Sequence, residues 1–199
     1  MKKIFFTILL MVNFSSLVFS QQQQPNPVIL QMPTGWGFER INLPFDFAPE
    51  INYSGFEEIR FAPGMFDTTS VNYFTYAFVV CIDGKKNFQK DDIKNFLDKY
   101  YKGLCLSVGQ PKKLTPDTAL IKSEIKVVPS ATELPIYSAT VPFFDTFSNG
   151  RKINLFMEIE SIIKTETNKT YLTILVSANK SNTEVWNKLH EVRNNMIIK

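Results

Sequence analysis

Two carboxylates, Glu158 and Glu160, have a spacing that would suit acid–base chemistry. Residues two apart in a strand point to the same face and lie about 6–7 Å apart. Paired carboxylates near this separation hydrolyse glycosidic bonds without a histidine or a metal. Asn154 and Lys164 would share that face, and this favours an ordinary polar surface in contact with water. Glu158 and Glu160 are therefore the weak catalytic candidates of a carboxylate-dependent hydrolase acting on glycans.

The stretch from Trp36 to Phe78 is a second candidate site. It holds 12 of the 27 aromatic residues of the chain, interleaved with glycine, proline and acidic residues. Such a run forms either a pocket built from loops or a core that needs large side chains. Arg60 either holds a buried carboxylate in place or binds an acidic ligand. The expected binding residues are Trp36, Glu57, Glu58, Arg60, Phe61 and Tyr76.

One histidine and two cysteines limit the chemistry further. Sites that need several imidazoles or four thiolates cannot be built, and no cofactor or metal is predicted. Cys81 and Cys105 either pair, closing a loop of about 25 residues worth roughly 3–4 kcal/mol, or serve as two small buried hydrophobic side chains. His190 is expected to be a partly exposed packing residue beside an apolar helix stripe.

The N-terminus has the pattern of a cleaved signal peptide. Lys2 and Lys3 precede an apolar run over residues 4–12, and Val18 and Ser20 suit cleavage before residue 21. The alternative, a membrane anchor, is disfavoured because the run is shorter than the roughly 20 residues that span a bilayer. No later segment is apolar enough to span. The mature chain is expected to be exported, either periplasmic or secreted.

Charge excludes one class of partner. The formal charge of +3 falls to about +1 once residues 1–20 and their two lysines are removed. A chain this close to neutral lacks the basic stripe that nucleic acids require. The expected partner is a small molecule, a glycan or an envelope protein.

The elements that must position these residues predict one α+β domain. Residues 21–33 read as a flexible polar leader, and residues 34–199 as a single domain. Helices are predicted over residues 91–106 and 183–196 from apolar spacing, and Pro142 indicates an edge or a bulge. The pattern predicts an antiparallel or mixed sheet of about 6–7 strands with two amphipathic helices packed on one face. Strands are predicted at 39–43, 57–61, 72–82, 121–128, 136–147, 153–164 and 172–178.

A family resemblance rests on one motif and its surroundings. The motif is Gly55-x-Glu57-Glu58-x-Arg60-Phe61-Ala62-Pro63-Gly64-Met65-Phe66, supported by residues 35–36, 47–49, 73–78 and 100–104. Over residues 34–106 the chain resembles a family of uncharacterised exported bacterial proteins. The resemblance implies export and a single domain, and it carries over no catalytic residue. A non-enzymatic binding module of the cell envelope is therefore the expected function, with the glycan hydrolase as its alternative.

Overall fold

The computed structural model describes residues 29–129 and 135–198, so the predicted signal peptide and the first part of the leader lie outside the described residues. The helices are α1 (Lys90–Gly109) and α2 (Thr183–Asn194), with short 3₁₀ helices at Gln110–Lys112 and Thr118–Leu120. The strands are β1 (Gly37–Leu43), β2 (Gly55–Phe61), β3 (Tyr76–Asp83), β4 (Glu124–Val128), β5 (Ile136–Phe144), β6 (Lys152–Lys164) and β7 (Lys169–Ser177).

The strands form one antiparallel sheet in the order β1-β2-β3-β7-β6-β5-β4. This confirms the α+β class and selects the antiparallel form. A short polar turn joins β6 to β7, as their alternating pattern predicts. Pro142 lies on β5 beyond Thr140, the residue at which pairing with β4 ends. Pro142 therefore lies where one side of β5 is unpaired, as expected for a proline in a strand.

The two helices lie on opposite faces of the sheet, which corrects the expectation of one shared face. Along β3, Tyr76, Phe78 and Val80 join the core cluster that contains α1. Val79 and Cys81 join the cluster that contains α2. Because successive strand residues point to opposite faces, the sheet separates the two clusters. The order of layers is α1, sheet, α2.

Helix α1 is held by its apolar stripe and by a close backbone approach. Ile93, Leu97 and Tyr100 on the stripe are buried. Gly103 faces the loop between β1 and β2, where an added Cβ would lie 2.0 Å from the carbonyl oxygen of Phe47. Only glycine permits this contact without a backbone shift. Neither α1 nor α2 has the length and apolar character that a membrane-spanning helix needs.

Two sequence expectations change with this fold. Ile29 and Leu30, assigned to the flexible leader, are buried against the α2 face of the sheet, so the folded domain begins before residue 34. Cys81 and Cys105 are free and buried. Because they belong to the separate core clusters of the α2 and α1 faces, no disulfide joins them, and each acts as a small hydrophobic side chain.

Candidate functional site

Helix α2 covers only part of its face of the sheet. Asn182 caps the helix by accepting a hydrogen bond from the Val185 N–H at 3.2 Å. Val185, Leu189 and Val192 are buried, and the helix packs against β3 and β7. On this face no described helix covers β6, β5 and β4, the strands on the other side of β7. A groove runs between their open surface and the side of α2.

Strand register fixes the floor of the groove as two rows of side chains. Neighbouring strands lie about 4.8 Å apart, and same-face residues along a strand lie about 6.7 Å apart. Ser138 and Thr140 stand in the middle of the floor and are half-buried. One row crosses the strands as Phe156, Thr140 and Glu124, and the next as Glu158, Ser138 and Lys126.

Aromatic side chains and a lysine form the wall of the groove. Trp186 lies on α2 and donates from Nε1 to the carbonyl oxygen of Asn179 at 3.0 Å, which fixes the indole. The Lys180 ammonium lies 5.4 Å from the centre of the Phe156 ring. The volume of the groove is about 300 Å³. This is at the small end of the range for ligand pockets.

The two candidate catalytic carboxylates contact polar side chains of α2. His190 Nε2 lies 2.8 Å from Glu158 Oε2, and Arg193 donates to Glu160 Oε1 at 2.7 Å. Arg193 also lies 3.8 Å from Glu158. Glu158 lines the groove, whereas Glu160 does not. His190 is therefore a hydrogen-bond partner of a groove residue as well as a packing residue.

Arg60 and Glu58 belong to a buried charge cluster that anchors the start of the domain. Glu58 accepts hydrogen bonds from the Ile29 and Leu30 N–H groups at 3.0 and 3.1 Å. Its two arginine partners are Arg40 and Arg60, and Arg60 also donates to the carbonyl of Leu30. Burial lowers the pKa of Arg60, while Glu58 opposes that shift. Of the two roles expected for Arg60, the structure shows the one that holds a buried carboxylate in place.

Glu57 is buried on the opposite face, where no lysine or arginine of residues 29–129 and 135–198 pairs with it. Its Oε2 accepts from the Tyr100 hydroxyl at 3.3 Å, and its Oε1 has no hydrogen-bond partner among the described residues. Tyr76 is buried nearby and is hydrogen-bonded to the Tyr101 hydroxyl at 2.7 Å. Burial raises the pKa of Glu57 to about 8, with a smaller upward contribution from Glu39 and a downward one from the Tyr100 hydrogen bond.

The six residues expected to share a pocket therefore fall in separate places. Glu57 and Tyr76 lie in the α1-side core, and Glu58 and Arg60 in the cluster on the α2 face. Trp36 lines a second pocket of about 430 Å³ between residues 31–36 and the outer side of α2. Phe61 is half-buried and lies 6.2 Å from Phe66, between ring centres.

Sequence reasoning missed most of the groove. Ser138 and Thr140 lie in the strand predicted over residues 136–147, but hydroxyl residues alternate on any solvated sheet face. Trp186 lies in the helix predicted over residues 183–196, and the apolar spacing of that helix does not indicate a groove. The sequence signal that could have indicated the groove was the polar residues at alternate positions of β5 and β6, together with Trp186 and His190 on the last helix. Among the described residues, no three His, Cys, Asp or Glu side chains gather as metal ligands would.

Comparisons with known proteins add a distant likeness in shape. No family model and no curated protein matches the chain. A similar solved structure is described as the crystal structure of LpqN, involved in cell envelope biogenesis of Mycobacterium tuberculosis. The two are 11% identical with a TM-score of 0.31, and the match covers 82% of this chain and 77% of that one.

Proposed function

We propose that this protein is an exported, non-enzymatic module of the cell envelope that binds a glycan in the groove beside Trp186. Export is supported by the signal-peptide pattern of residues 1–20. The binding function rests on one observation: the half-buried hydroxyls of Ser138 and Thr140 and the fixed indole of Trp186 line the same open groove.

The chemistry of the lining matches a hydroxyl-rich ligand. Serine and threonine hydroxyls both donate and accept hydrogen bonds, carboxylates only accept, and lysine only donates. Glu158 and Lys126, at opposite ends of one row, therefore offer an acceptor and a donor on either side of Ser138. Trp186 and Phe156 supply apolar surface for the C–H faces of a sugar ring. A volume of about 300 Å³ suits one or two sugar units.

The positions of Glu158 and Glu160 favour binding over hydrolysis. A two-carboxylate mechanism needs both groups to flank one scissile bond, but only Glu158 lines the groove. Glu160 is held by Arg193 at the side of α2. Glu158 is fixed by His190 and suits the role of an oriented hydrogen-bond acceptor.

Tryptophan fluorescence tests this proposal. The chain has two tryptophans, so Trp36→Phe leaves Trp186 as the sole reporter in the groove. The probes are chitotriose, cellotriose and maltotriose, titrated into residues 21–199 of this variant. At least one should change the Trp186 emission saturably, and Thr140→Val in the same background should weaken that response about tenfold, because a buried sugar hydroxyl would lose its partner.

The matched variant Trp186→Phe, which keeps Trp36, should show no saturable change. Absence of any response from Trp186 to all three probes would overturn the glycan assignment. Release of shortened sugars from a bound probe, abolished by Glu158→Gln, would replace the binding function by the hydrolase.

A further inference from the structure

The loop over residues 62–75 holds apolar side chains out toward solvent. Phe66 is 50% exposed and Val71 is 62% exposed. The loop is nevertheless tightly hydrogen-bonded, with the Phe74 N–H donating to the Met65 carbonyl at 2.9 Å and further bonds between successive turns. The exposure of these side chains is therefore a property of an ordered turn.

Phe66 belongs to a continuous aromatic patch, made by Phe61, Phe66 and Phe147. The Phe66 and Phe147 rings stack with 5.3 Å between centres, and the Phe61 ring lies 6.2 Å from Phe66. Ser148 Oγ donates to the Phe66 carbonyl at 3.3 Å and ties the two loops together. Contiguous apolar surface held in this way marks an interaction site more often than scattered exposed residues do.

Positive charge surrounds the aromatic patch. Lys112 Nζ donates to the carbonyl oxygens of Thr146 and Phe147 at 3.0 and 2.5 Å, so an ammonium is fixed beside the rings. Four exposed cations and one exposed acid lie on the segments around the patch, which are residues 62–75, 109–113 and 145–152. The cations are Lys112, Lys113, Arg151 and Lys152, and the acid is Asp67. The remaining acid of these segments, Asp145, is buried and accepts from the Tyr73 hydroxyl.

We propose that the aromatic patch docks this protein on a membrane surface rich in anionic lipid. Aromatic side chains that insert at the headgroup level, with lysines and arginines around them, are the features of proteins that lie on such surfaces. The basic residues around the patch disfavour a second copy of this chain as the occupant, because two such rims would repel. This surface is separate from the groove, so the two proposals stand independently.

Vesicle flotation tests the docking. Residues 21–199, which include every described residue, are mixed with vesicles of phosphatidylcholine alone or with one quarter phosphatidylglycerol. Binding should need the anionic lipid and should fall sharply between 50 and 500 mM salt. Each of Lys113→Gln and Lys152→Gln should lower the partition coefficient about fivefold, and Phe66→Ser combined with Val71→Ser about tenfold or more.

The control is Val127→Ser, which removes an exposed apolar side chain near the far end of β5 from Phe147 and should bind like wild type. Equal binding to both vesicle types, unchanged binding by the Phe66 and Val71 variant, or no binding at 50 mM salt would each overturn the proposal. Sedimentation of the protein alone identifies the competing occupant. Dimerisation that is lost with Phe66→Ser would assign the patch to self-association.

Discussion

The variant Glu57→Gln would measure how much a buried carboxyl that no described lysine or arginine pairs with lowers the free energy of unfolding. Glu57 is fully buried in the α1-side core, and Tyr100 is its hydrogen-bond donor in the part of the chain that the structure describes. In Glu57→Gln the amide oxygen still accepts from Tyr100, and the side-chain volume hardly changes. The amide cannot ionise. The variant therefore removes the titration and leaves the packing nearly intact.

The magnitude follows from the raised pKa of Glu57, which moves from 4.5 to about 8. The folded state then keeps its proton over a pH range in which the unfolded state releases it. The contribution of Glu57 to the free energy of unfolding is therefore fully present below pH 4.5. It falls by about 1.4 kcal/mol per pH unit until the pH passes about 8. The full loss from this group is about 5 kcal/mol, of which about 3 kcal/mol is reached at pH 7.

Urea unfolding at pH 5.5, 6.5, 7.5 and 8.5 measures this dependence. The free energy of unfolding of Glu57→Gln minus that of wild type should rise by about 1.4 kcal/mol per pH unit up to pH 7.5, and more slowly above. Glu124→Gln is the control, because it changes an exposed carboxylate. Its free energy of unfolding should change with pH as that of wild type does. A constant difference between Glu57→Gln and wild type across the range would refute the reasoning, because Glu57 would then not hold its proton in the folded state.

Three further predictions concern the elements that support the two faces. Glu58→Gln should lower the free energy of unfolding by about 3–5 kcal/mol in urea titrations, because it leaves buried arginines without their carboxylate; a loss under 1 kcal/mol would contradict the assigned contacts. Gly103→Ala should cost roughly 1–3 kcal/mol, about 2–12 °C in Tm, because its Cβ would press on the Phe47 carbonyl, and an unchanged Tm would contradict that contact. Without any reductant, Cys81 and Cys105 should resist maleimide in the folded protein, since both are buried and burial raises the pKa of each thiol. Both should react fully in urea, whereas a disulfide would leave neither reactive.

The sheet and its helices were largely predictable because their signals are local. Both helices carry one apolar stripe, and β6 buries every second residue from Leu155 to Ile159. The face that each helix takes is not a local property, since either face can receive an amphipathic helix. One pattern did contain the answer. β3 is apolar on both faces, and a strand in that position needs cover on both sides.

The groove was less predictable because its contacts join distant parts of the chain. Glu158 and Glu160 alternate with apolar residues, as residues on a solvated strand face do. No residue near them in the sequence indicates a partner. Their partners, His190 and Arg193, lie more than 30 residues later on a helix whose apolar stripe faces β7. The opening beside Trp186 depends on how far α2 extends across the sheet, which is set by packing and by no single motif.

The adjacent residues Glu57 and Glu58 show that two equally buried carboxyl groups can have very different partners. Being neighbours in β2, they point to opposite faces, and both are fully buried because the sheet is covered on both sides there. Glu58 has Arg40, Arg60 and two backbone N–H groups as partners, so its charge is compensated. Glu57 has a single tyrosine hydroxyl, and burial raises its pKa to about 8. The two residues are chemically identical in the sequence, and their different surroundings come from partners that only the folded chain brings to them.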